Sequence, residues 1–170
     1  MLDLIISEVV RTQLTTGKTY LLMERVPLRT HQILRRELAH GRKVLYFSKN
    51  SPNLLKTQLD VEPEQIELRW LNPRPEEECS SPMDLEAFES KVTRFIEKNK
   101  DGIVVLNGLE VLEMWNGFRP VFDRLRSMHK KVSANGNNLI ITFDPKIQIT
   151  DHIAVLNSIV DEVIADKPNQ

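Results

Sequence analysis

Gly102-Ile103-Val104-Val105-Leu106-Asn107 is the stretch on which the fold turns. Its apolar run has strand length and no polar alternation, so both of its faces must be buried, as in an interior strand of a parallel sheet covered by helices on each side. Working outward, Lys43 to Ser48, Leu139 to Phe143 and Thr19 to Glu24 are further buried strands, and Gln65 to Leu71 and Val160 to Ala165 complete the set. The segments between them carry helical periodicity. Pro27 suits the first turn of a helix whose Leu28, Ile33, Leu34 and Leu38 face inward until Gly41, and a short helix with Leu54, Leu55 and Leu59 follows Pro52. Ser81-Pro82-Met83-Asp84 places Ser81 as the N-cap of a helix burying Leu85, Phe88, Val92, Phe95 and Ile96. Leu109 to Trp115 is a turn or short helix, broken at Asn116-Gly117. Phe118, Val121, Phe122, Leu125 and Met128 then form the stripe of a long helix, and Thr150 caps a last helix with Ile153, Leu156 and Ile159.

Strands alternating with helices of this length predict right-handed βαβ units, a three-layer α/β domain with a largely parallel sheet. The chain has 170 residues, 41% of them hydrophobic, enough for one sizeable core and short for two. Its domain spans residues 17 to 165, preceded over 1 to 14 by an amphipathic helix whose apolar stripe is Leu2, Ile5, Ile6, Val9 and Val10. No apolar run approaches the ~20 residues that span a bilayer. Met1 to Ile6 lacks the basic lead-in of a secretory signal, so a cytoplasmic protein is expected. Cys79 is the only cysteine, which excludes an internal disulfide and a multi-cysteine zinc site. Asn72 to Ser80, with two prolines and three consecutive glutamates, is expected to be a mobile loop.

The net charge of −1 is unevenly spread. Residues 1 to 60 hold 10 Lys/Arg against 5 Asp/Glu, whereas 61 to 101 hold 6 against 11. A basic cluster of Arg25, Arg29, Arg35, Arg36, Arg42 and Lys43, with another between Arg119 and Lys131, allows a nucleic-acid face as an alternative function. The isoelectric point near 6.4 and the lack of interleaved aromatics weigh against it.

Gly17-Lys18-Thr19 resembles the end of a phosphate-binding loop, but that loop has the order G-x-x-x-x-G-K-[ST] between a strand and a helix. Here the first glycine position is Thr12, and the segment precedes a strand. The turn where such a loop belongs, Glu24 to Thr30, contains neither glycine nor lysine, although Arg25 and Arg29 beside a helix N-terminus could hold an anion weakly. At the end of the decisive strand a hydrolytic nucleotide-binding domain carries an aspartate for magnesium. This chain has Asn107, a poorer magnesium ligand. Hydrolysis is therefore not expected, and no catalytic residue, metal site or cofactor is assigned. Glu24, Ser48, Asn107 and Asp144 should gather at the C-terminal edge of the sheet, where α/β proteins bind ligands, with Arg25 and Arg29 nearby. The four histidines, His31, His40, His129 and His152, read as solvated surface.

The residues Gly17 to Glu24 with Pro27, Ile103 to Glu110, Asn116-Gly117-Phe118, and Leu139-Ile140-Ile141 with Asp144-Pro145 together resemble the archaeal family called domain of unknown function 835, over about Gly17 to Ile164. That resemblance implies a shape related to the RecA and KaiC nucleotide-binding domains without a working phosphate loop, often at the C-terminal end of sensory proteins. It also implies a sheet with strand 19 to 24 between 160 to 165 and 139 to 143, then 102 to 107, 43 to 48 and 65 to 71 at the far edge. Members commonly have aspartate where this chain has Asn107. The functional expectation is a non-catalytic protein-interaction or signalling domain. Its alternative is a nucleotide or small-molecule binder using the strand-end crevice without hydrolysis. The partner is a protein of unidentified kind, and the N-terminal stripe suits either the chain's own sheet or a homodimer.

Overall fold

The computed structural model describes residues 13–60, 63–148 and 150–165. The N-terminal stripe of Leu2, Ile5, Ile6, Val9 and Val10 and the helix expected to carry it lie outside these. The described strands are β1 (Thr19–Met23), β2 (Val44–Ser48), β3 (Ile66–Leu71), β4 (Cys79–Ser80), β5 (Ile103–Asn107), β6 (Asn138–Phe143) and β7 (Glu162–Ala165). The helices are α1 (Leu28–Ala39), α2 (Pro52–Leu59), α3 (Leu85–Lys98), α4 (Leu109–Asn116), α5 (Phe118–Asn135) and α6 (Thr150–Asn157).

All seven strands join one sheet in the order β4-β3-β2-β5-β6-β1-β7, and every pairing is parallel. This is the expected order with one addition, because the short β4 and not β3 forms the far edge. Side chains alternate between the faces. Leu21, Leu45, Phe47, Val104, Leu106, Leu139 and Ile141 point to one core with α3, α4, α5 and α6. Tyr20, Leu22, Val44, Tyr46, Ile103, Val105 and Ile140 point to the other, with α1 and α2. The run Ile103–Leu106 is wholly buried, as a strand at the middle of a covered sheet requires.

The local start signals differ from expectation at three places. Helix α3 begins at Leu85, its N-cap being Asp84, whose Oδ1 accepts from the Ala87 N–H at 2.9 Å. A carboxylate at the positive end of a helix outcompetes the Ser81 hydroxyl, which accepts only from Met83 N–H at 3.4 Å. Leu28 is 67% exposed because it opens α1 above the sheet edge, and the helix buries Thr30, His31 and Glu37 beside Ile33, Leu34 and Leu38. The loop expected over Asn72 to Ser80 gives up its last two residues to β4. Arg69 donates to Glu77 O (2.8 Å), Cys79 O (3.2 Å) and the Ser80 Oγ (3.2 Å), which pins the chain so that Cys79–Ser80 can pair.

Candidate functional site

Four central strands end side by side at the C-terminal edge of the sheet. Register places Ser48 beside Asn107 and Asn107 beside Thr142, so these three side chains form a row on the α1–α2 side. Glu24 extends β1 by one step, its N–H donating to Phe143 O at 3.0 Å, and shares the face of Tyr20 and Leu22. Tyr46 lies one layer below. The result is a polar layer between the strand ends and the start of α1, and all of it is buried.

Glu24, only 4% exposed, is the hub of this layer. Its Oε1 accepts from the Arg29 N–H at 2.9 Å. Its Oε2 accepts from the Thr30 N–H at 3.2 Å, from the Thr142 hydroxyl at 3.0 Å, and from the Thr30 hydroxyl in a short hydrogen bond. Arg29 and Thr30 are the second and third residues of α1, whose own N-cap, Pro27, offers no side-chain acceptor. Free N–H groups and the helix dipole make such a terminus attractive to anions, and related architectures use it for phosphate. Here the chain's own carboxylate fills that place and has about four acceptor sites for its four donors.

Below it, His31 Nε2 and the Tyr46 hydroxyl share a hydrogen bond of 2.8 Å, with the rings tilted at 55°. Burial, and secondarily the charge of Arg35, pull His31 from its ordinary 6.5 down to about 4. Burial pushes the Tyr46 phenol well up; the Asn107 side chain opposes this and the Glu24 charge adds to it. Both groups are neutral near pH 7 and act as packing. His31 is therefore not surface, contrary to the sequence expectation. Its place in the stripe with Leu34 and Leu38 was the available signal. Among the described residues the buried Asn107 Nδ2 has no acceptor in hydrogen-bond geometry.

Of the six expected ligand residues, Glu24, Ser48 and Asn107 come together, but turned inward. Ser48 Oγ accepts from Asn50 N–H at 2.9 Å. Arg25 is exposed, half-buried Arg29 donates from Nη1 to Ala165 O at 3.3 Å, and Asp144 Oδ1 accepts from Lys146 N–H at 2.9 Å to start a turn. Gly17-Lys18-Thr19 sits at the opposite edge, before β1, where Gly17 N–H donates to Asn137 O at 2.8 Å. Arg42 belongs to no basic face. It is buried, ion-paired to Glu37 at 3.3 Å and donating to Asn138 Oδ1 and Asp101 O, both at 2.7 Å.

Outside the buried layer the rim carries exposed apolar side chains. Val26 and Leu28 follow β1, Leu54 follows β2, Met83 follows β4, Met114 and Trp115 follow β5, and Ile147 follows β6; all are exposed, Met114 by 74% and Trp115 by 47%. Asn116 Nδ2 donates to Pro82 O at 2.7 Å and ties the end of α4 to the segment carrying Met83. The Gln148 amide, turned with its nitrogen toward Glu113, donates to that carboxylate at 3.2 Å and ties in the Ile147 turn. Burial pushes the Glu113 carboxyl up, against the opposing pull of His152 and Gln148.

The family described as Protein of unknown function (DUF835) matches residues 26–160. The chain belongs to that family. A KaiC-like protein from the hyperthermophilic archaeon Pyrococcus horikoshii has a similar structure, with a TM-score of 0.66, 13% sequence identity, and 91% of this chain and 75% of that chain covered. At that identity the likeness establishes the fold, and this DUF835 member is a RecA/KaiC-like α/β domain. No curated protein matches the sequence. Among the described residues no helix is long and apolar enough to cross a membrane.

Proposed function

We propose that this DUF835 domain is a non-catalytic protein-interaction module that keeps the RecA-like frame and uses its strand-end rim as the contact surface. The observation that carries the reading is Glu24, whose carboxylate takes the α1 N–H groups that a nucleotide phosphate would need. Asn107, standing where a magnesium-binding aspartate is common, agrees with it. Exposed Leu28, Met83, Met114, Trp115 and Ile147 on the same rim give a protein partner apolar and aromatic anchors in place of a ligand crevice. A signalling role fits the sensory-protein context that the sequence resemblance implies, and the stripe Leu2, Ile5, Ile6, Val9 and Val10 would join two copies.

Calorimetric titration with ATP and GTP, with and without magnesium, tests the first half, and no saturable heat is expected. Tight magnesium-dependent binding overturns it. A photo-crosslinking residue at Trp115, expressed in the source cell, should give discrete protein adducts that are absent when it is placed at Lys100 on the opposite edge. Light scattering on the full chain tests the two-copy assembly, which a monomer at micromolar concentration excludes.

A further inference from the structure

β3 is the last long strand on its side of the sheet, and β4 covers only part of it. The pairing is Trp70 with Cys79 and Leu71 with Ser80, so no described strand lies beside Ile66 to Arg69 on the outer side. In a parallel ladder the N–H and C=O groups of alternate residues point to opposite neighbours. Trp70 and Asn72 donate outward, to Glu78 O at 2.8 Å and Ser80 O at 3.2 Å. By the same alternation Ile66 and Leu68 present their backbone groups outward as well, two steps before β4 begins. An uncovered row of this kind is a template for another strand.

A cavity of about 500 Å³ lies along this uncovered edge, between α2, β3 and the Glu77–Glu78 segment. Its floor is apolar, made by buried Leu59 and Ile66 with half-buried Leu68. Its walls carry the carboxylates of Glu67, Glu77 and Glu78 against two cations, Lys56 and Arg69. Those cations are largely committed. The Arg69 guanidinium is spent on Glu77 O, Cys79 O and Ser80 Oγ, and Lys56 stands 3.9 Å from Glu78. Glu67 pairs with Lys91 at 3.0 Å, whereas Glu77 has no ion pair among the described residues. The segment from 61 to 101 that frames the groove is the acidic part of the chain, with 11 Asp/Glu against 6 Lys/Arg. The Arg69 clamp fixes Glu77 and Cys79, and a turn closed by the Cys79 N–H to Glu76 O hydrogen bond at 3.0 Å leads the chain into β4, which pairs only with Trp70 and Leu71.

We propose that this groove binds an extended basic segment of another protein, which adds to the outer edge of β3 in line with β4. Its backbone pairs with Leu68, alternate apolar side chains sit over Leu59 and Ile66, and its Lys or Arg side chains meet Glu77 and Glu78. Main-chain pairing supplies affinity, while the acidic wall selects the charge. The site is separate from the strand-end rim and stands whether or not the rim binds a partner.

The probes are two short fluorescent peptides, one alternating lysine with valine and one alternating glutamate with valine, titrated into the isotopically labelled full chain at physiological salt. The basic peptide should bind saturably, move the Ile66 and Leu68 amide resonances, and slow exchange of the Leu68 amide by about tenfold or more. The acidic peptide should do neither. The exposed double substitution Glu77→Lys with Glu78→Lys should weaken the basic peptide by roughly tenfold with the melting temperature unchanged. Three results would overturn the proposal: no movement at Leu68 with either peptide, equal binding of both peptides, or binding that ignores the charge reversal. Concentration-dependent protection of the Leu68 amide without any peptide would assign the edge to a second copy of this chain and overturn it too.

Discussion

Replacing Glu24 by glutamine removes one oxygen and the charge while keeping the shape, so its cost can be worked from the four hydrogen bonds. The amide oxygen will stay in the Oε2 position, where it keeps the Thr30 N–H, Thr30 hydroxyl and Thr142 hydroxyl, and the new NH2 will then face the Arg29 N–H. Losing one charge-assisted bond costs about 1.5–3 kcal/mol, and losing the negative charge at the α1 N-terminus adds roughly 0.3–1 kcal/mol. A destabilisation of about 2–4 kcal/mol is expected. Glu24→Ala strips all four donors and should cost about 3–5 kcal/mol, as when one partner of a buried charged pair is deleted. Urea unfolding with an unchanged slope measures both. Acetate, small enough to enter the space left by the alanine, should restore part of the loss in that variant and do nothing specific to the parent chain. A loss below ~0.5 kcal/mol for Glu24→Ala, or equal acetate effects on both proteins, would refute the reasoning.

The neutral His31 gives acid sensitivity. Its folded value near 4 lies below the ordinary 6.5, so the unfolded chain binds the proton more tightly and stability falls as pH drops from about 6.5 toward 4. At pH 5 about 2 kcal/mol should be gone, and His31→Gln should flatten that part of the stability–pH curve in urea titrations. Arg42→Met leaves Glu37 buried without its cation and Asn138 Oδ1 without its donor, so about 3–5 kcal/mol should be lost by the same assay. Gly102 has no room for a methyl group, since a Cβ there would lie 2.6 Å from Phe95 Cε1; Gly102→Ala should lower stability by about 1–3 kcal/mol.

The sheet was readable because its strands are unusually apolar. Ile103–Leu106 and Leu139–Ile141 have no polar residue to suggest a solvated face, and the four other strands read from the sequence are set off by clear helical stripes. The strand order came through the family resemblance and not from periodicity, which carries no information on neighbours. β4 escaped notice because two residues, Cys79–Ser80, have no periodicity, and what makes them a strand is the Arg69 clamp from another segment. The gathering of Glu24, Ser48 and Asn107 at strand ends followed from topology alone. Their burial did not, because it depends on Thr30 and Thr142 supplying hydroxyls to one carboxylate across 118 residues of chain. A glutamate just after a strand looks solvent-facing in sequence, and only the arrival of α1 above it turns it inward. The apolar rim was partly hidden for the opposite reason. Leu28 and Leu54 satisfy a helical stripe as core residues, yet each sits in a first turn that overhangs the sheet edge.

The most direct test of the claim that an internal carboxylate occupies the phosphate position is at the backbone amides it holds. In the isotopically labelled chain, titration with magnesium and ATP should leave the Arg29 and Thr30 amide resonances where they are, with their slow hydrogen exchange unchanged. Saturable movement of those two amides, with Glu24 released from them, would contradict the account.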